Sequence, residues 1–295
     1  MAFQRYLAEE VAIDHADGVF SRREALRRLA LLGLGVPAAS ALLAACGGGD
    51  GEPAPAATSG AATPVAGPAV VTQGVTFPGP EGRTIQGAWA PAAQPRGAVL
   101  VIHENRGLND HIRSVAGRLA ASGYSALAID LLSAEGGTAA LGDEAKAMAA
   151  LSSAPQERFV ADMRAGLDEL ERRASGQKLG AIGFCFGGGM VWLLLASGEP
   201  RLAATAPFYG PLPDNADFSG STAAVLGIYA EQDERVNASR EAATAALQRA
   251  RLTHEIVTYP GANHAFFNDT GPRYNQGAAT QAYAKVLDWF GRHLG

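Results

Sequence analysis

From residue 69 onward, short apolar runs alternate with stretches whose apolar positions recur every three to four residues. The runs predict strands at Val70–Phe77, Thr84–Ala88, Ala98–His103, Ser125–Ile129, Leu179–Gly183, Ala203–Phe208, Ala224–Tyr229 and Glu255–Tyr259. The helical period predicts helices near 109–122, 155–174, 187–197, 237–251 and 276–293. Four of the later strands are continuously apolar, as central parallel strands buried on both faces are. The first two have no helix between them and predict an antiparallel hairpin at one sheet edge. Together these elements predict an α/β fold: a mostly parallel central sheet, helices on both faces and an antiparallel N-terminal edge. Ligands bind such sheets beyond the carboxyl ends of the strands, so candidate chemistry is sought there.

The N-terminal pattern differs. A basic stretch, Ser21-Arg-Arg-Glu-Ala-Leu-Arg-Arg28, is followed by the uncharged run Leu29–Ala45. This order predicts an export signal. Seventeen residues with Gly33, Gly35 and Pro37 make a poor permanent membrane span, which needs about 20 apolar residues. Arg22-Arg23 resembles a twin-arginine signal, and Leu43-Ala-Ala-Cys46 resembles a lipobox whose cysteine is acylated after cleavage. The polar stretch Met1–Phe20 is longer than an ordinary n-region, and an uncleaved anchor helix is the alternative. Residues 46–68 are rich in Gly, Ala, Pro and Thr and predict a flexible tether. The expected organisation is a signal over 1–45, a tether over 46–68 and a folded body over 69–295. The expected location is the extracytoplasmic face of a bacterial envelope, with a lipid on Cys46 as the only membrane contact.

Composition narrows the function. Of 295 residues, 47% are hydrophobic and 18% charged, enough for a core and unlike a disordered chain. The net charge of −5 opposes a nucleic-acid binder with a basic face. Residues 1–45 hold five Arg against five Asp or Glu, so the remainder keeps the −5. Two cysteines exclude a disulfide scaffold and a four-cysteine zinc site. A lipid on Cys46 would leave Cys185 a free thiol, unusual for an exported protein.

The strongest motif explains that thiol. The apolar strand at 179–183 runs into Gly183-Phe-Cys-Phe-Gly187 and then a helix, which is G-x-C-x-G, a nucleophile elbow with Cys in place of Ser. Glycines flank the nucleophile because side chains there would strike the neighbouring strand and helix. The helix N-terminus also favours a thiolate. A structural Cys in a Gly-rich turn is the plain alternative. Asp233 follows the strand at 224–229, and His264 follows the strand at 255–259. The order Cys185, Asp233, His264, with spacings of 48 and 31 residues, is the nucleophile–acid–histidine order of α/β-hydrolases. Taken singly, Asp233 reads as a helix cap or turn residue and His264 as a loop residue. His103 and His111 are candidate site-wall residues.

Gly183-Phe-Cys-Phe-Gly-Gly-Gly189, the Asp233 and His264 segments, and Val99-Leu-Val-Ile-His-Glu-Asn-Arg-Gly107 resemble the dienelactone hydrolases (carboxymethylenebutenolidases) over roughly residues 70–293. The resemblance implies that Glu104 interacts with the thiol before substrate binds, and that the Asn105 and Phe186 amides form the oxyanion hole. A salt bridge to Arg106 or Arg113 is the alternative reading of Glu104. One departure stands out: four residues past the histidine, where the family has a substrate-binding Arg, this chain has Asn268, and the next Arg is Arg273. The expected activity is therefore cleavage of a small-molecule ester or lactone, without metal or other cofactor. A thioesterase or acyl-transfer enzyme with the same triad, and a non-catalytic lipid-anchored binding protein, are the alternatives.

Overall fold

The computed structural model describes residues 3–46 and 69–295. The expected tether, apart from Cys46, lies outside the described residues. Three helices come first: α1 (Phe3–Ala16), α2 (Arg22–Leu31) and α3 (Val36–Ala45). The body follows with β1 (Gln73–Pro78), β2 (Thr84–Ala90), β3 (Gly97–Ile102), α4 (Asp110–Ala121), β4 (Tyr124–Asp130), α5 (Thr138–Leu141), α6 (Glu144–Ser153) and α7 (Gln156–Arg173). It continues with β5 (Leu179–Phe184), α8 (Phe186–Ala196), β6 (Leu202–Phe208), β7 (Ala224–Ala230), α9 (Glu234–Asn237), α10 (Arg240–Arg249), β8 (His254–Tyr259) and α11 (Gln276–His293).

The eight strands form one sheet in the order β1-β2-β4-β3-β5-β6-β7-β8. β1 pairs antiparallel with β2, and β2 with β4. The strands from β4 across to β8 are parallel, with Val99 opposite Gly180 in the β3–β5 pair. This is an α/β-hydrolase-like fold, with the antiparallel edge where the sequence predicts it. Every residue of β3, β4, β5 and β7 is buried, which is why β3, β5 and β7 read as unbroken apolar runs.

From β3 the chain steps one way to β4 and then returns past β3 to β5. Right-handed crossovers at this reversal put α4 on one face and α7 and α8 on the other. α11 joins α4, where the Tyr283 and Ser122 hydroxyls meet at 3.1 Å. The crevice at the reversal opens beyond the carboxyl ends of β3 and β5, the usual ligand position.

The segment set apart in sequence is helical and lies against the body. α1 buries Tyr6, Leu7 and Val11, α2 buries Ala25 and Leu29, and α3 buries Ala39 and Leu43. The apolar run 29–45 is interrupted at Gly33, whose φ of +85° an L side chain rarely adopts. Among the described residues no helix is long and apolar enough to cross a membrane. Arg27 and Arg28 on α2 pair with Asp143 and Glu144 at the start of α6.

Candidate active site

Cys185 sits between the end of β5 and the start of α8, with φ 55° and ψ −118°. A non-glycine residue held there is strained, and the contacts around it hold it. Its own N–H donates to Phe208 O at 3.1 Å, tying the turn to β6. A Cβ on Gly183 would lie 2.1 Å from Gly187 O, and one on Gly187 2.3 Å from Ile102 O. The backbone can make this turn only where both positions lack side chains.

Asp233 follows β7 and His264 lies in the loop after β8. The Asp233 carboxylate has two partners: Oδ1 accepts from Val236 N–H at 3.3 Å, capping α9, and Oδ2 accepts from His264 Nδ1 at 2.5 Å. The cap and the histidine contact are thus made together. With the proton on Nδ1, the Nε2 face turns to the thiol: Cys185 Sγ, His264 Nε2 and a Glu10 carboxylate oxygen all lie within 4.8 Å of one another. Among the described residues this is the one group of His, Cys and acidic side chains close enough to hold a metal ion. Two of its members are the thiol and its neighbouring imidazole.

Burial pushes the Cys185 thiol up, Glu10 pushes it further, and His264 opposes them. Burial alone would push the His264 imidazolium down, but Glu10 and Asp233 outweigh it and hold the ring well above its ordinary value. Asp233 is likewise penalised by burial, yet His264 and Arg235 hold it below the usual carboxylate range.

Glu104 and Asn105 line the same small cavity as Cys185. Glu104 Oε2 accepts from Asn268 Nδ2 at 2.7 Å, while Arg106 pairs with Glu144 at 3.6 Å. Asn268, where the resemblance implied a departure from an arginine, is therefore the hydrogen-bond partner of the glutamate. Cys185 Sγ meets the Tyr6 hydroxyl at 3.4 Å. Phe186 opens α8, so its amide belongs to the helix N-terminus beside the thiol.

His103 has a structural part that its sequence position only hinted at. Leu131 N–H donates to its Nε2 at 3.1 Å, so Nδ1 carries the proton and donates to Glu104 O at 2.6 Å. Burial lowers its pKa and keeps the ring neutral. In a trans peptide C=O and N–H point opposite ways, so anchoring Glu104 O turns Asn105 N–H away from His103. His111 instead pairs with Asp269 at 2.8 Å.

Sequence reasoning missed Tyr6, Glu10 and Arg235. Glu10 Oε1 is 3.3 Å from His264 Nε2, and Arg235 pairs with the other Glu10 oxygen. The available signal was Tyr6, Glu10 and Asp14 at four-residue spacing, one face of a helix.

The chain matches the model of the "Dienelactone hydrolase family" over residues 86–294. It is 32% identical over 263 residues to the assigned carboxymethylenebutenolidase of Salmonella typhi, covering 82% of this chain and 96% of that one. Its counterpart in Saccharolobus solfataricus is 30% identical over 247 residues, covering 72% and 95%. Among solved structures, the assigned dienelactone hydrolase of Klebsiella pneumoniae superposes with a TM-score of 0.67 at 29% identity, covering 76% of this chain and all of that one. With the elbow, the sheet order and these relatives in agreement, the chain belongs to the dienelactone hydrolase family.

Proposed function

We propose that this protein hydrolyses a carboxylic ester or lactone through Cys185, His264 and Asp233, by way of a thioester on Cys185. The observation that carries the reading is the Asp233–His264 bond of 2.5 Å, with Nε2 turned toward a cysteine in a strained strand–helix turn. His264 Nε2 takes the thiol proton, and Sγ attacks the carbonyl carbon. The negative oxygen is held by the Asn105 and Phe186 amides. As the C–O bond breaks, the leaving alcohol takes the proton from His264. Water, deprotonated by the same ring, then attacks the thioester carbonyl, releasing the acid and restoring the thiol. Glu104, held by Asn268, walls the cavity beside the thiol.

The charge arrangement gives a pH prediction. The active form needs His264 free to accept a proton, and its neighbours hold it protonated above its ordinary range. Turnover of p-nitrophenyl acetate should therefore rise with pH, with a midpoint above the unperturbed histidine value of about 6.5. The midpoint is a macroscopic value of the Cys185–His264 pair. Glu10→Gln removes one of the raising charges and should move it down. A kcat/KM profile flat between pH 5 and 9, by direct assay, would count against the histidine as base.

We further propose export and lipid anchoring. Arg22 and Arg23 are exposed at the start of α2, the apolar run 29–45 follows, and Cys46 is a free, half-buried thiol at the end of α3. Cys46→Ser should release or mislocalise the protein. A Cys46→Ser protein that stays membrane-bound with its N-terminus uncleaved would rule out the lipid anchor.

A further inference from the structure

The cleft beside Cys185 is filled by the chain's own first helix. α1 turns Tyr6, Glu10 and Asp14 toward the body, at 1%, 5% and 5% exposure. Tyr6 places its hydroxyl 3.4 Å from Cys185 Sγ, and Glu10 its carboxylate 3.3 Å from His264 Nε2. The body answers with cations. Arg235 pairs with Glu10, donates to Tyr6 O at 3.1 Å and stacks 4.0 Å over the Tyr6 ring. Arg273 meets Asp14 and Asp17, each at 2.7 Å.

Two consequences follow for the site. Beside the thiol a cavity of about 40 Å³ remains, lined by Cys185, Glu104, Asn105 and Asn268 together with Glu10 and Asp14. That is space for two or three waters, whereas small-molecule sites run to roughly 300 Å³ and more. The nitrogen that must accept the thiol proton also faces a carboxylate that keeps it protonated. With α1 seated, both the nucleophile and its base are engaged.

We propose that α1 is an intramolecular inhibitor of the Cys185 site, so that the full chain is latent and withdrawal of α1 opens the cleft. The helix lies outside the matched family region, residues 86–294. Being on the same chain, it docks at a high effective concentration and needs no intrinsically tight contact. Cleavage before Cys46, as proposed above, would remove α1 with the signal and deliver an open enzyme. The turnover arm of the test rests on the hydrolase reading; the access arm does not.

The experiment uses the full chain and two variants. Glu10→Lys sets a cation against Arg235 and His264, and Asp14→Lys sets one against Arg273 without touching the thiol or its base. The rate of Cys185 alkylation by iodoacetamide is followed by peptide mass, which separates it from Cys46, and p-nitrophenyl acetate kcat/KM is measured beside it. Both rates should rise tenfold or more in each variant while the body's melting transition is retained. If Glu10→Lys loses that transition, Asp14→Lys alone decides. Faster alkylation without turnover supports the inhibitor and overturns the hydrolase reading. A parent chain alkylated at Cys185 as fast as both variants overturns the inhibitor, whatever the turnover.

Discussion

Cys185→Ala is expected to lower ester turnover by roughly 10⁴-fold or more, because members of a nucleophile–base unit act together and the loss of one removes most of their joint effect. His264→Ala should be nearly as severe. Asp233→Asn should leave the ring in place with its proton misassigned, a loss on the order of 10⁴-fold in comparable triads. Stability should change little in Cys185→Ala: only Sγ is removed, alanine has no greater difficulty at φ 55°, and the hydrogen bond that ties the turn to β6 is made by the backbone. A shift of about 1 kcal/mol is the expected scale. The comparison is kcat/KM with p-nitrophenyl acetate beside thermal melting, best made in the Glu10→Lys background if the parent proves latent. Parental turnover in Cys185→Ala would exclude the cysteine mechanism.

How much of this was legible follows from the range of each interaction. The strands were readable because burial on both faces demands unbroken apolar runs such as Val99-Leu-Val-Ile102. The elbow was readable because its steric demand falls on Gly183 and Gly187, two residues either side of Cys185. α6 was missed, although Asp143 caps it by accepting from Ala145 and Lys146 N–H. Its alanine-rich face gave a weak period. The docking of α1 joins Tyr6 to Cys185, 179 residues apart, and no local pattern reports such a contact.

The charge count shows the same limit from another side. Residues 1–45 balance five Arg against five acids, which leaves the net charge of the remainder unchanged at −5. In the structure, Glu10 and Asp14 pair with Arg235 and Arg273, and Arg27 and Arg28 with Asp143 and Glu144. Net charge is blind to which partners the fold supplies. Asn268 makes the point for single residues. As a replacement for an arginine it reads as a lost cation, yet its amide donates to a buried glutamate at 2.7 Å.

The second large effect is expected at the elbow glycine. A Cβ on Gly187 would stand 2.3 Å from Ile102 O and 2.6 Å from His103 O. Both obstacles are backbone, and β3 is held by β4 on one side and β5 on the other, so it has no freedom to recede. Gly187→Ala must then push α8 off the sheet and carry Cys185 with it. Overpacking costs about 1–3 kcal/mol in general, and rigid obstacles place this case at the upper end. At roughly 2–4 °C per kcal/mol for a body of this size, the melting temperature should fall by about 6–12 °C. Turnover should fall by more than the loss of folded protein explains, because a displacement of about 1 Å can cost roughly 10²-fold. Gly74→Ala is the matched control, on the exposed edge strand with nothing within 4 Å of its would-be Cβ, and it should leave both quantities unchanged. If Gly187→Ala behaves like Gly74→Ala in melting and turnover, the turn does not press against β3, and the steric account of the elbow is wrong.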